Sequence, residues 1–151
     1  MTSTLTDLDQ INAEIMSQGA TNPFGRDVEP GTGVSGEITA VIRRHRRNSK
    51  GLPLFWVDRK PMAVEAGDPV IDSYLVVEVD QAELVDDHDE GLRLITLDRD
   101  VQRALRAGLR RARVAGVAVG GRIESLRYVA QVEGGGYGRV YDLGAYIPPT
   151  V

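Results

Sequence analysis

Five permanent cations, Arg43, Arg44, Arg46, Arg47 and Lys50, fall within one short run of the chain, with His45 among them. After a break at Ser49-Lys50-Gly51 comes an apolar, aromatic stretch, Pro53-Leu54-Phe55-Trp56-Val57-Asp58, followed by Arg59 and Lys60. Cations beside flat aromatic faces suit a single nucleic-acid strand, because the cations neutralise phosphates while the rings stack on bases. The plainer reading is a solvated basic turn followed by core aromatics. Side chains alternate along a strand, so Phe55 and Trp56 point to opposite faces and only one of them can meet a ligand. Trp56 is read as the stacking residue and Phe55 as core.

Other aromatics and cations divide in the same way. Tyr128 and Tyr141 lie in phase with apolar neighbours and read as core. Tyr137 sits in the glycine turn Gly134-Gly135-Gly136-Tyr137-Gly138 with Arg139 just beyond it, and both read as exposed. Tyr74 shares a strand face with Glu78, which fits a binding surface or an outer wall. The nucleic-acid-binding candidates are therefore Arg43, Arg44, Arg46, Arg47, Lys50, Trp56, Arg59, Lys60, Tyr74, Tyr137 and Arg139. Arg99, Arg103, Arg106, Arg110 and Arg113 form a further cationic row. It reads as a solvated helix face, with a second DNA track or contact with a neighbour's acidic loop as the alternatives.

Chemistry of other kinds finds no motif. The run Asp86-Asp87-His88-Asp89-Glu90 lacks the alternating ligands, central glycine and distal Glu of a calcium loop. The glycine turn joins two strands instead of opening a helix, so it is not a nucleotide fingerprint. There is no GxSxG, Walker or HExxH sequence. No catalytic residue, metal site or cofactor is expected.

The elements that must position these residues are short strands. The 151 residues contain 17 glycines and no cysteine, with 42% apolar and 26% charged residues. Such a chain is globular, is long enough for a real core, and fits a reducing cytoplasm. The start has no secretory pattern, and no apolar run approaches the roughly 20 residues of a membrane helix. The net charge is -4, but it is segregated: residues 78–90 hold seven acids and no Lys or Arg, whereas residues 43–60 hold seven Lys or Arg and one acid. Local charge, not the average, governs binding.

Residues 1–30 read as a flexible arm in which Leu5, Leu8, Ile11, Ile15 and Met16 could line a short helix and Phe24 could anchor. Residues 31–151 read as the domain. Period-two patterning gives strands at 33–46, 53–58 and 73–79, an added hairpin leg at 92–97, and strands at 121–133 and 139–147. Val34, Gly36, Ile38, Ala40 and Ile42 share one face of the first strand. The apolar phase changes near Glu124–Ser125, which implies a bulge. On the last strand, Tyr141, Leu143, Ala145 and Ile147 share a face. The strong helix spans 98–114, with Asp98 as N-cap and Gly116 as the stop. The result is an all-β chain with one helix: a five-stranded OB-fold barrel, with the helix between strands three and four and an extra hairpin leg before it. The loop between strands one and two (Arg43–Pro53) and that between strands four and five (Gly134–Gly138) then flank one binding face.

In this arrangement the chain resembles the single-stranded DNA-binding proteins of actinobacterial phages and prophages. The residues that carry the resemblance are Asn22-Pro23-Phe24-Gly25, Gly33-Val34-Ser35-Gly36, Pro53 to Asp58 with Lys60-Pro61, the strand 73–79, the acidic loop closing on Gly91, Val119-Gly120-Gly121 and the Tyr146-Ile147-Pro148-Pro149 end. The resemblance implies an OB-fold that binds single-stranded DNA in phage DNA replication or recombination, without catalysis, in the bacterial host cytoplasm. Its partners would be single-stranded DNA, other copies of the chain, and replication or recombination proteins, but no membrane. The long acidic, Phe-tipped tail of bacterial housekeeping binders has no counterpart after Tyr146, so recruitment through such a tail is not expected. The alternative function is a protein–protein assembly module whose basic and acidic surfaces pair between subunits.

Overall fold

The structure, a computed structural model, describes residues 4–16, 18–132 and 138–150. Its elements run α1 (Thr4–Met16), β1 (Gly33–His45), β2 (Phe55–Val57), β3 (Lys60–Met62), β4 (Ile71–Val79), a 3-10 turn (Gln81–Glu83), β5 (Leu92–Thr96), α2 (Arg99–Ala112), β6 (Arg122–Gln131) and β7 (Arg139–Ile147). A five-stranded antiparallel sheet has the order β5-β4-β1-β6-β7, and β2 and β3 form a separate two-stranded ribbon. The end strands β5 and β7 are not paired with each other, so the sheet is not closed into a barrel. No helix among the described residues is long and apolar enough to cross a membrane.

β1 is the central strand and is irregular twice. Opposite β6, Val34 faces Leu126 while Gly36 faces Ile123, so Glu124 and Ser125 together oppose Ser35. This is the bulge expected near Glu124–Ser125. Ser125 takes a positive φ of 54°, and its amide donates to the Ser35 hydroxyl at 2.8 Å. Gly36 is required here, because a Cβ at this position would lie 2.1 Å from the Glu78 carbonyl oxygen. Opposite β4, Ile38 faces Val77 while Ala40 faces Val76, which leaves Thr39 as an added residue.

That second bulge changes the expected face of β1. Val34, Ile38 and Val41 pack into the main core, whereas Ala40 and Ile42 turn to the opposite face. β4 follows its register: Leu75, Val77 and Val79 enter the main core, and Tyr74 and Val76 lie on the other side. The main core is completed by Ile95, Ile123, Leu126, Tyr128, Tyr141, Leu143 and the buried stripe Val101, Ala104 and Leu105 of α2. On β7 the buried phase runs Tyr141, Leu143 and then Tyr146, so Ile147 is exposed, contrary to the regular alternation expected. The Tyr146 hydroxyl accepts the Ala118 amide at 3.0 Å, which gives its polar tip a partner inside.

Several sequence expectations need correction. The stretch 53–58 is not a strand of the main sheet; the second sheet strand is β4. The supposed extra leg is β5, a full sheet strand paired with β4 along Tyr74–Glu78. There are two α-helices among the described residues, because α1 forms at the N-terminus. α2 has its expected N-cap, with Asp98 accepting the Val101 amide at 2.9 Å. It stops at Arg113 in the left-handed conformation, ahead of Gly116, with the Arg113 amide reaching the Arg110 and Leu109 carbonyls.

The segment before β1 joins the two unpaired edges. The Leu94 amide of β5 donates to the Thr21 carbonyl at 2.8 Å. Phe24 is buried edge-on against Tyr141 of β7, with ring centroids 5.1 Å apart. Residues 21–26 therefore act as a strap across the open seam.

The acidic loop is folded on itself. Arg93 is buried, and it donates to both carboxylate oxygens of Asp89 at 2.9 and 2.6 Å. The Arg93 guanidinium, and then the Val85 and Gly91 amides, hold the Asp89 carboxyl well below the usual carboxylate range. With the folded-state value depressed, this contribution is fully present above the unfolded value of about 3.9 and is lost as pH falls below it. Asp89→Asn should therefore destabilise the chain near neutral pH, and its deficit against wild type should shrink in melts at about pH 2. A deficit that stays constant across that range would contradict the assignment.

Candidate nucleic-acid interface

The basic run folds as an arm that leaves the sheet where β1 and β4 diverge. The Arg46 amide still reaches the Val70 carbonyl at 2.8 Å, but the Arg46 carbonyl accepts from Leu54 at 2.9 Å. Residues 52–57 thus return antiparallel along the end of β1, with Arg47 bridged to Pro53. β3 lies beside β2, and Trp56 and Val70 are tied by backbone bonds to Asp68 and Leu54. Asn48 shapes the first turn: its side-chain oxygen accepts the amides of Lys50 and Leu52 at 2.9 and 3.0 Å. The second turn, Asp58-Arg59, has positive φ at both residues, 50° and 67°. This is the twist-matched geometry of a two-residue hairpin, made here without glycine and so under local strain.

The arm separates the two adjacent aromatics as alternation requires. Phe55 is half-buried with its ring edge-on to His45, centroids 5.0 Å apart. Trp56 points outward and is 44% exposed. His45 Nε2 also lies 2.6 Å from the Leu54 carbonyl, which fastens the arm to β1.

The cations fall into two sets. Arg44 forks onto Glu14 of α1 at 3.0 and 2.9 Å and lies over the Tyr74 ring, 5.3 Å from its centroid. Arg46 forks onto Asp72 at 3.0 and 2.6 Å. Hydrogen bonding to these carboxylates pushes both guanidinium pKa values up. Arg43, Arg47, Lys50, Arg59 and Lys60 are exposed and form no ion pair among the described residues. Arg47 does donate to the Gly51 carbonyl at 2.8 Å. Tyr74 is half-buried on the sheet face that carries Ile42 and Val76.

Arg139 stands apart from this group. Its Nη1 donates to the Phe24 carbonyl and the Tyr141 hydroxyl at 3.0 and 3.3 Å, and its Nη2 to the Gly25 and Arg26 carbonyls at 3.1 and 3.3 Å. It also lies over the Tyr128 ring. These contacts make it the clamp of the strap. Tyr137 lies outside the described residues.

On α2 all five arginines of the expected row are exposed, and only Arg103 approaches an acid among the described residues, Asp100 at 3.7 Å. Several acids of the 78–90 stretch are engaged internally. Asp80 pairs with Arg122, Asp89 with Arg93, and Glu83 accepts the Ser35 amide. A cleft of about 680 Å3 lies between Gly19–Pro23 and this acidic loop, away from the basic arm.

No family model, curated protein or solved structure matches the chain. What the arrangement can do therefore rests on its own geometry. It offers an outward indole and, on the same projecting arm, the cations Arg47, Lys50, Arg59 and Lys60, which form no ion pair among the described residues.

The clamp role of Arg139 is separable from ligand contact. Arg139→Met should lower stability by about 2 kcal/mol, the scale of lost charged hydrogen bonds. Chemical denaturation would measure it. Unchanged stability would show that the strap does not depend on this guanidinium.

Proposed function

We propose that the chain is a non-enzymatic OB-fold protein that binds single-stranded DNA with little sequence preference. The observation that carries this reading is Trp56, half-exposed on an arm that also bears Arg47, Lys50, Arg59 and Lys60, with Arg43 near its base on β1, none of these cations in an ion pair among the described residues. An outward indole is a stacking platform for any base, and unpaired cations can exchange counterions for phosphates at no cost in broken ion pairs. Tyr74 with Arg44 above it extends the same chemistry onto the sheet. The strand order, with α2 between β5 and β6, supports an OB topology opened between its third and fifth strands, a fold in which partial opening is ordinary. The arm is then the enlarged loop between OB strands one and two, one of the two loops beside the usual binding face.

The resemblance to phage and prophage single-stranded DNA-binding proteins extends the reading. The chain would act in DNA replication or recombination in a bacterial host, alongside other copies of itself and proteins of that machinery. The alternative of an assembly module through opposite charges is weakened by the internal engagement of Asp80, Glu83 and Asp89.

Binding of labelled oligo-dT and of equal-length duplex across a salt series tests the reading. Five phosphate contacts give a slope of about -3.5 in log affinity against log salt, at roughly -0.7 per contact. Removing Arg47, Arg59 and Lys60 together should flatten the slope by about 2. Trp56→Ala should weaken binding by about 1–3 kcal/mol. Equal or tighter binding to duplex, or none to oligo-dT at low salt, would sink the proposal.

A further inference from the structure

The Thr39 bulge leaves a second apolar surface on the side of the sheet away from α2. It consists of Ala40, Ile42 and Val76, with Tyr74, Leu92 and Leu94 around them. Arg44 projects beside it, over Tyr74. A half-buried aromatic with a guanidinium above it and aliphatic side chains around it is suited to stacked bases and a phosphate.

This surface lies under α1. Among the described side chains of α1, Ala13 packs against the apolar patch. The larger apolar side chains Leu8, Ile11 and Ile15 are exposed, at 51%, 55% and 55%. A groove lined by Asp9, Gln10, Asn12 and Ala13 on one side and Thr39, Ala40, Val41 and Val119 on the other remains between helix and sheet. Polar contacts between α1 and the sheet include the Glu14 fork on Arg44 and a long bond from the Arg43 amide to Gln10 at 3.4 Å. Both partners of the Glu14–Arg44 pair are 44% exposed, and ion pairs exposed to solvent in this way are weak.

The chemistry of the cover matches that of the expected ligand. The α1 sequence, TLTDLDQINAEIM, carries Asp7, Asp9 and Glu14 and no Lys or Arg. Glu14 presents two oxygens to the Arg44 fork, as a phosphate would. Its neighbour Ala13 shields the patch on which a base could lie.

We propose that α1 is a displaceable anionic cover over a single-stranded DNA site on this sheet face, so that DNA and α1 compete for Arg44 and Tyr74. The inference rests on the single-stranded DNA reading and adds to it the regulation of the same site. Free protein holds its site closed by a helix that is tethered, acidic and joined to Arg44 through a solvent-exposed ion pair. A strand engaged first by the arm supplies the phosphate that replaces Glu14.

The test uses the full chain. Glu14→Gln keeps the shape of the side chain and removes the charge, so it should tighten oligo-dT binding about three-fold, the fold-change of a surface ion pair. Hydrogen exchange of the α1 amides in wild type should accelerate on saturation with oligo-dT. If wild type binds oligo-dT, yet Glu14→Gln does not tighten it and the α1 exchange is unchanged or slower, the cover is refuted while the DNA reading stands. If neither protein binds oligo-dT at low salt, the DNA reading itself fails and the cover falls with it.

Discussion

The added residue at Thr39 in β1 is the constraint on which most of the architecture depends. β1 pairs on one side with β4 and on the other with β6, so any change in its phase is felt across the sheet. A shift of one residue exchanges the two faces of a strand. Before the bulge, Val34 and Ile38 feed the core under α2; after it, Val41 does so, and Ala40 and Ile42 face the other way. The sheet is thereby made apolar on both sides at its middle. The second apolar side calls for a cover, and α1 is the element that lies over it. The same phase delivers Arg44 to Tyr74 and Glu14, and then lets the strand run on into the basic arm.

The open seam is the second constraint. Unpaired strand edges are templates for unwanted pairing, and a sheet that does not close must protect them. Here the strap does so on both sides. Thr21 takes a backbone bond from β5, and Phe24 fills the space against Tyr141 of β7. Arg139 gathers the carbonyls of Phe24, Gly25 and Arg26. Closure by a strap leaves the arm free to serve another purpose.

How much of this was legible in the sequence depended on whether the deciding interaction was local. The N-cap at Asp98, the arginine row of α2, the alternation along 73–79 and the bulge near Glu124–Ser125 follow from periods of a few residues, and they stand in the structure. The exchange of faces at Thr39 left no trace, because Ala40, Val41 and Ile42 are apolar on both phases. The stretch 53–58 has strand character, yet its partners are neighbours in the arm, and composition does not reveal which partner a strand will choose. Within the site, the sequence brought out the cations but could not divide them. Glu14 and Asp72 reach Arg44 and Arg46 across 30 and 26 residues of chain. Arg139 looked like a free cation beside a glycine turn because the carbonyls it holds are more than a hundred residues earlier. That Phe55 and Trp56 part company was foreseeable from alternation; which one turns outward was decided by the ring of His45.

The central claim is that the arm and the adjoining sheet face form one surface for a single DNA strand. Ultraviolet cross-linking of the full chain to oligo-dT, with the linked peptides mapped by mass spectrometry, addresses it most directly. The account predicts adducts on Trp56 and Tyr74 and on peptides spanning residues 43–60. Adducts confined to the arginine face of α2, with none on the arm, would contradict it.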